Sequence, residues 1–383
     1  MSFTGTEAAL WTYTLTTTGA AICVSAPILE IDGTPVSLLP GSLTAPNASV
    51  SLGNGISESR FEGTVAGDDA LSLAMIVRTA DGSPFIRFRY EITSKRAQAL
   101  TKVRGRDAMQ YLSISLRDRS KVQEIRFSEF NELFHSFCLV ESDIDDRHFD
   151  NVVSFMGPIL TASGDEDSLL IAYEHGSQLP DRFVEFVPQA DRNVALRAVK
   201  GNHYAGQPIG PGNVFQTIWM QLGMAPGNID ALAGEYRAFV LTGQSPNTES
   251  RKPYIYYNTW NYQERNQDWN KKAYLDSMNA ERMLAEIDTA HRMGIDVFVI
   301  DTGWYEKTGD WRVNRKRFPD GLKPLKDKLD SYGMKLGLWF NPIVAAVTSR
   351  MRLDREDCRM SWNGKVQVRF QFGKPRKAWE CAW

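Results

Sequence analysis

Between Pro253 and Pro342 three short apolar runs alternate with helical stretches, and each run closes on polar and aromatic side chains. The runs are Tyr254 to Trp260, Ile295 to Trp304 and Met334 to Pro342. One helix is predicted from Asn279 to Met293, with Leu284, Ile287 and Ala290 inward and Gly294 beyond its end. A second is predicted from Asp320 to Tyr332, stopped by Gly333. Strand and helix in alternation demand a parallel sheet, because a helical crossover returns each strand to the same direction. The expected architecture is the first part of a (β/α)8 barrel, which carries its functional residues at the carboxyl ends of the strands. Those ends hold Asn258 and Trp260, then Asp301 with Thr302 and Trp304, then Trp339 and Asn341. An indole offers a flat apolar face to the C–H side of a sugar ring, and carboxylates and amides take its hydroxyls, so a carbohydrate is the expected partner.

From the start to about Leu222 the pattern has period two, the mark of antiparallel strands with one buried face. Leu71, Leu73, Met75 and Val77 alternate with smaller or polar residues, Asp81-Gly82 supplies a turn, and Ile86, Phe88, Tyr90 and Ile92 alternate with Arg87, Arg89 and Glu91. One face of this hairpin is expected in the core and the other in water. Further strands are predicted at Tyr111 to Leu116, Val122 to Phe127, Leu169 to Tyr173, Phe183 to Val187, Val194 to Val199 and Phe215 to Leu222. Asn228 to Val240 has helical spacing, and the polar, Pro-containing stretch after Gly243 reads as a connector. The domains expected are a large all-β sandwich over 1–242, a linker over 243–252, three βα units of a TIM barrel over 253–365, and a tail over 366–383.

A net charge of -2 gives no electrostatic reason for nucleic acid or an anionic membrane as partner. Cys23, Cys138, Cys358 and Cys381 show no Cys-x-x-Cys spacing, and the five histidines show no metal-ligand spacing, so neither a metal nor another cofactor is expected. Asp143, Asp145 and Asp146 lack the glycine and closing glutamate of a calcium loop and read as a solvated turn. Neither a signal peptide nor a long apolar span is seen, so the expected location is cytoplasmic.

Two motifs go further. Phe298-Val-Ile-Asp-Thr-Gly-Trp304 is followed by Gly309-Asp-Trp-Arg-Val-Asn and by Arg317-Phe-Pro-Asp-Gly-Leu322, and Tyr332 opens the run to Trp339-Phe-Asn-Pro342. Together they resemble the α-galactosidase family of melibiases and raffinose-processing enzymes, in which a β-supersandwich precedes a (β/α)8 catalytic barrel. The resemblance covers Pro253 to about Lys365 in detail. It implies a hydrolase of terminal α-galactosides, or of a related α-glycoside, with a retaining mechanism, and Asp301, Thr302, Trp304, Trp339, Asn341 and Trp260 as substrate-binding residues. The family usually has a second aspartate where Thr302 stands, and many members have an acidic residue near Asn341, which points toward a neighbouring specificity.

In such enzymes the nucleophile lies on the fourth strand and the acid/base on the sixth. By position no carboxylate of this chain takes either role, so the catalytic assignment is none, and the polypeptide is expected to be inactive toward nitrophenyl glycosides. The residues after Lys365 lack a helical or strand period, and a reading frame shifted from the Phe372 codon restores a family-like continuation, which suggests a frameshift near Val366 to Gln371. Two further readings stand beside the hydrolase: a raffinose-synthase-like galactosyl transferase, and a sugar-binding protein without catalysis. A homo-oligomer fits the longer family members. With three strands of a barrel, the C-terminal part is expected to be the protease-sensitive one.

Overall fold

The computed structural model describes residues 11–39, 42–44, 48–102, 109–131, 136–176, 182–200, 205–245, 247–342, 344–355, 359–362 and 365–370. The chain divides into two compact units, Met1–Asn247 and Thr248–Trp383.

The first unit is built from a seven-stranded and a ten-stranded sheet, antiparallel throughout, that share one core. Within the larger sheet lie β1 (Leu71–Ala80) and β2 (Phe85–Ser94), joined at Asp81-Gly82, with Gly82 at φ 70° as the tight turn requires. Their register places Leu73 opposite Ile92, Met75 opposite Tyr90 and Val77 opposite Phe88, all on the face toward the smaller sheet. Trp11, from the smaller sheet, meets Phe88 edge-on at 5.0 Å and directs its indole N–H to the Tyr90 hydroxyl at 3.4 Å.

The other face of the hairpin is not left to water. Phe85 is buried beneath α1 (Ile229–Phe239), stacked on Phe239 with ring centroids 5.4 Å apart. Arg78, Arg87 and Arg89 each lie over the Trp219 ring and pair with Glu58, Glu174 and Glu91 respectively. Alternation located this second face correctly but hid its cover, because α1 and Trp219 are distant in sequence. The single strand expected from Phe215 to Leu222 is two, Phe215–Gln216 and Met220–Pro226, both paired with β2. Between them the Thr217 hydroxyl accepts the Tyr90 N–H at 3.0 Å, a side chain standing in for a main-chain acceptor.

The second unit holds a three-stranded parallel sheet, ordered β3 (Tyr256–Asn258), β4 (Val297–Ile300), β5 (Lys335–Leu338). Three helices precede β5. α2 (Trp260–Asp268) follows β3 at once, α3 (Ala280–Arg292) leads into β4, and α4 (Lys323–Ser331) leads into β5. Asn279 caps α3 by accepting the Arg282 N–H at 2.9 Å. Met283, Ile287 and Ala290 of α3 and Leu325 and Leu329 of α4 bury against Phe298 and Ile300 of β4. His291 stacks on Tyr332 at 4.0 Å, closing the pair of helices.

α2 was not expected as a separate element. Its buried side chains are Gln263 and Asn266, so it has no apolar period to read. Residues 365–370 form a strand paired with Arg359–Trp362, which corrects the expectation that no strand period follows Lys365. Val366, Val368 and Phe370 alternate with Gln367 and Arg369, the period a strand needs. The rest of the tail, 371–383, lies outside the described residues, as do His135, Cys358 and Cys381. Among the described residues no helix is long and apolar enough to cross a membrane, and no group of three or more His, Cys, Asp or Glu could hold a metal ion.

Candidate functional site at the strand ends

Asp301 follows β4 directly and is 4% exposed. The Thr259 hydroxyl accepts its N–H at 2.9 Å, tying the carboxyl end of β4 to that of β3. Oδ1 accepts from the Thr302 N–H at 2.7 Å and from the Thr302 hydroxyl at 3.0 Å. Oδ2 accepts from Asn258 Nδ2 at 3.1 Å. Three of the residues singled out by sequence position, Asn258, Asp301 and Thr302, thus form one hydrogen-bonded group.

The turn that makes this arrangement needs glycine. Gly303 has φ 107°, and a Cβ there would lie 2.8 Å from Met278 Cγ and 2.9 Å from Leu275 Cδ2. Arg317 fixes that opposing loop, donating through Nη1 to the carbonyls of Leu275 at 2.6 Å and Met278 at 3.1 Å. The same loop carries Tyr274. Burial, the neighbouring Asp301 charge and then Glu264 hold the Tyr274 hydroxyl above its ordinary range, keeping it a proton donor.

Trp304 is 7% exposed and belongs to the core of the second unit. Its indole N–H donates to the Trp339 carbonyl at 2.8 Å, joining the ends of β4 and β5. Around it stand Tyr305, Trp311, Trp339 and Phe340. Trp311 is 4.6 Å from Tyr305, 5.8 Å from Phe340, 6.2 Å from Trp304 and 6.3 Å from Trp339. Trp339, Trp311 and Phe340 are the more open rings of this cluster. Trp260 stands apart from the cluster at the first position of α2, 48% exposed, its N–H bonded to Asn258 Oδ1 at 2.7 Å. Asn341 follows Phe340 and is half-buried.

Sequence reasoning passed over Gln263, Tyr274 and Tyr305, and gave Trp311 no preferred role. Gln263 is buried and donates to the Thr302 carbonyl at 2.5 Å, leaving its own Oε1 without a partner. A buried glutamine in a polar helix leaves no periodic trace. Trp311 sits at φ 52°, a conformation that no local pattern around Asp310 announces.

The chain thus carries an all-β unit followed by parallel βα units, with a buried carboxylate and an aromatic cluster at the strand ends. Residues 233–371 match the family described as Melibiase. The sequence is 32% identical over 94 residues to "Alpha-galactosidase Mel36A" of Lactobacillus acidophilus, a stretch that covers 23% of this chain and 13% of that protein. It is 26% identical over 149 residues to "Alpha-galactosidase AgaA" of Geobacillus stearothermophilus, covering 37% of this chain and 19% of the other. In fold it is similar to a single-substitution variant of that AgaA in complex with 1-deoxygalactonojirimycin, with a TM-score of 0.60 and 14% identity over 90% of this chain and 50% of that one. It is similar likewise to the galactosidase domain of the α-galactosidase-sucrose kinase AgaSK, with a TM-score of 0.62 and 14% identity over 98% of this chain and 52% of that one. The chain thus spans about half the length of these solved relatives. Over residues 233–371 it is thus similar to the α-galactosidase family.

Proposed function

We propose that the second unit is the substrate-binding side of an α-galactosidase-type glycoside hydrolase, acting on terminal α-galactosides or a related α-glycoside through a (β/α)8 barrel. The observation that carries this is the Asp301 group. A buried carboxylate is held in place by Asn258, Thr259 and Thr302, close in the chain to an aromatic cluster at the same strand ends. Apolar ring faces beside an acceptor for hydroxyls are the chemistry that recognises a sugar. A variant of the AgaA named above has been solved with raffinose, which supports the ligand class.

The retaining displacement needs two carboxylates facing one anomeric carbon across a short gap. Asp301 does not suit either role, because three protein donors already occupy its oxygens. It suits holding a hydroxyl while other carboxylates carry out the displacement. We therefore propose that residues 253–354 bind and orient the glycone and supply neither nucleophile nor acid/base. The test is a titration of the chain with methyl α-D-galactoside and with raffinose, followed through tryptophan fluorescence. Quenching that saturates and is lost in Asp301→Ala is expected. A signal that ignores both sugars, or one unchanged by Asp301→Ala, overturns the reading.

A further inference from the structure

An ionised carboxylate has room for about four hydrogen bonds, two on each oxygen. On Asp301 both positions of Oδ1 are taken by Thr302, one by its main-chain N–H and one by its hydroxyl. Oδ2 has one bond, from Asn258. One position therefore remains, and it is on Oδ2. The threonine hydroxyl has a single proton and directs it at Oδ1. Gln263 holds the threonine's own carbonyl, and the buried Asp301 has little freedom to turn.

We propose that Thr302 is a specificity-determining residue that closes Oδ1, so that Asp301 engages one sugar hydroxyl through Oδ2 and not an adjacent pair. This rests on the reading of the strand ends as a sugar site. A vicinal diol that bridges both oxygens of a carboxylate needs a vacant acceptor on each, and this site offers one on Oδ2 alone. The ligand class is then a glycoside that presents a single hydroxyl to Asp301 and meets neutral donors and acceptors (Asn258, Thr302, Tyr274) around it.

The full chain is titrated by tryptophan fluorescence with methyl α-D-galactoside and its 2-, 3-, 4- and 6-deoxy derivatives, each with and without Asp301→Asn. In the unmodified chain Asp301→Asn weakens binding by about tenfold or more, the usual scale of a charge-assisted hydrogen bond. That loss vanishes for one deoxy sugar and persists for the other three. In Thr302→Val, which keeps shape and removes the hydroxyl, the loss shrinks for each of two deoxy sugars at neighbouring positions. Thr302→Ser, which keeps the hydroxyl, behaves as the unmodified chain. Two hydroxyls coupled to Asp301 in the unmodified chain would overturn the role of Thr302 while leaving the sugar site in place, and so would a Thr302→Val pattern identical to the unmodified one. The deoxy panel on the unmodified chain decides the matter even if Thr302→Val does not fold. No titration with any of these sugars would instead overturn the sugar site itself, and this inference with it.

Discussion

The two units of the chain settle the same problem, burying apolar strands, in opposite ways. In the first, Phe88, Tyr90, Met75 and Trp11 lie between two sheets, and α1 covers the far side at Phe85. In the second, helices cover part of a three-stranded sheet whose outer strands, β3 and β5, have no further partner among the described residues. Tyr256 of β3 is 66% exposed, and Leu338 and Phe340 at the end of β5 are exposed too. An antiparallel sandwich can complete its core from near neighbours, whereas a parallel βα array does so only as strands accumulate. The difference teaches that the first unit closes its core with its own strands and helix, while the second leaves apolar side chains of its outer strands open.

Core truncations test that contrast most strongly. Phe88→Ala is expected to cost about 3–5 kcal/mol, since a fully buried ring leaves a cavity between two sheets that cannot collapse onto it. Denaturant unfolding measures it, and a cost below about 1 kcal/mol would break the comparison. A smaller effect comes from pH. Burial, and then the Glu174 charge, push the Tyr236 hydroxyl in α1 up to about 12 from an ordinary 10.0. A group whose folded value is raised contributes stability below its unfolded value and loses it as pH climbs through the folded one. The first unit should therefore weaken between about pH 10 and 12, and Tyr236→Phe should flatten that part of the stability curve.

Helix caps offer a matched pair at lower magnitude. Asn228 caps α1 through the N–H groups of Asp230 and Ala231, and Asn279 caps α3 through Arg282. Replacing either by alanine is expected to cost about 1 kcal/mol. Equal losses would show that local capping is blind to how complete the surrounding core is; thermal melts of the two variants compare them. Least of all should come from Lys323→Ala in α4. Its ion pair with Asp327, at 2.6 Å, is exposed on both sides, and such pairs contribute under about 0.5 kcal/mol. A measurable drop in melting temperature would show that α4 is held by its surface rather than by Leu325 and Leu329.

What could be read before any coordinates divides along physical lines. The β1–β2 hairpin was legible because Leu73, Met75 and Val77 keep strict alternation up to an Asp-Gly turn. α3 and α4 were legible, to within a few residues, because Ile287, Leu325 and their neighbours repeat at helical spacing. α2 was not, because glutamine and asparagine form its buried face. The same rule governs the site. Asn258, Asp301 and Thr302 stand at strand ends, where position in the chain fixes position in space. Gln263 reaches the Thr302 carbonyl from a helix, and that contact follows from tertiary packing that no spacing encodes.

The bond from the Trp304 indole to the Trp339 carbonyl has an optical consequence. It helps fix Trp304, Trp311 and Trp339, together with Tyr305, in a chiral array whose neighbouring rings lie 4.6 to 6.5 Å apart. Aromatic transitions held that near and at unequal angles mix, so this small region should dominate the near-ultraviolet circular dichroism of the whole chain. The second unit therefore carries its own spectroscopic signature, separate from the secondary-structure signal of the larger β-rich unit. Its folding can be followed without any added label.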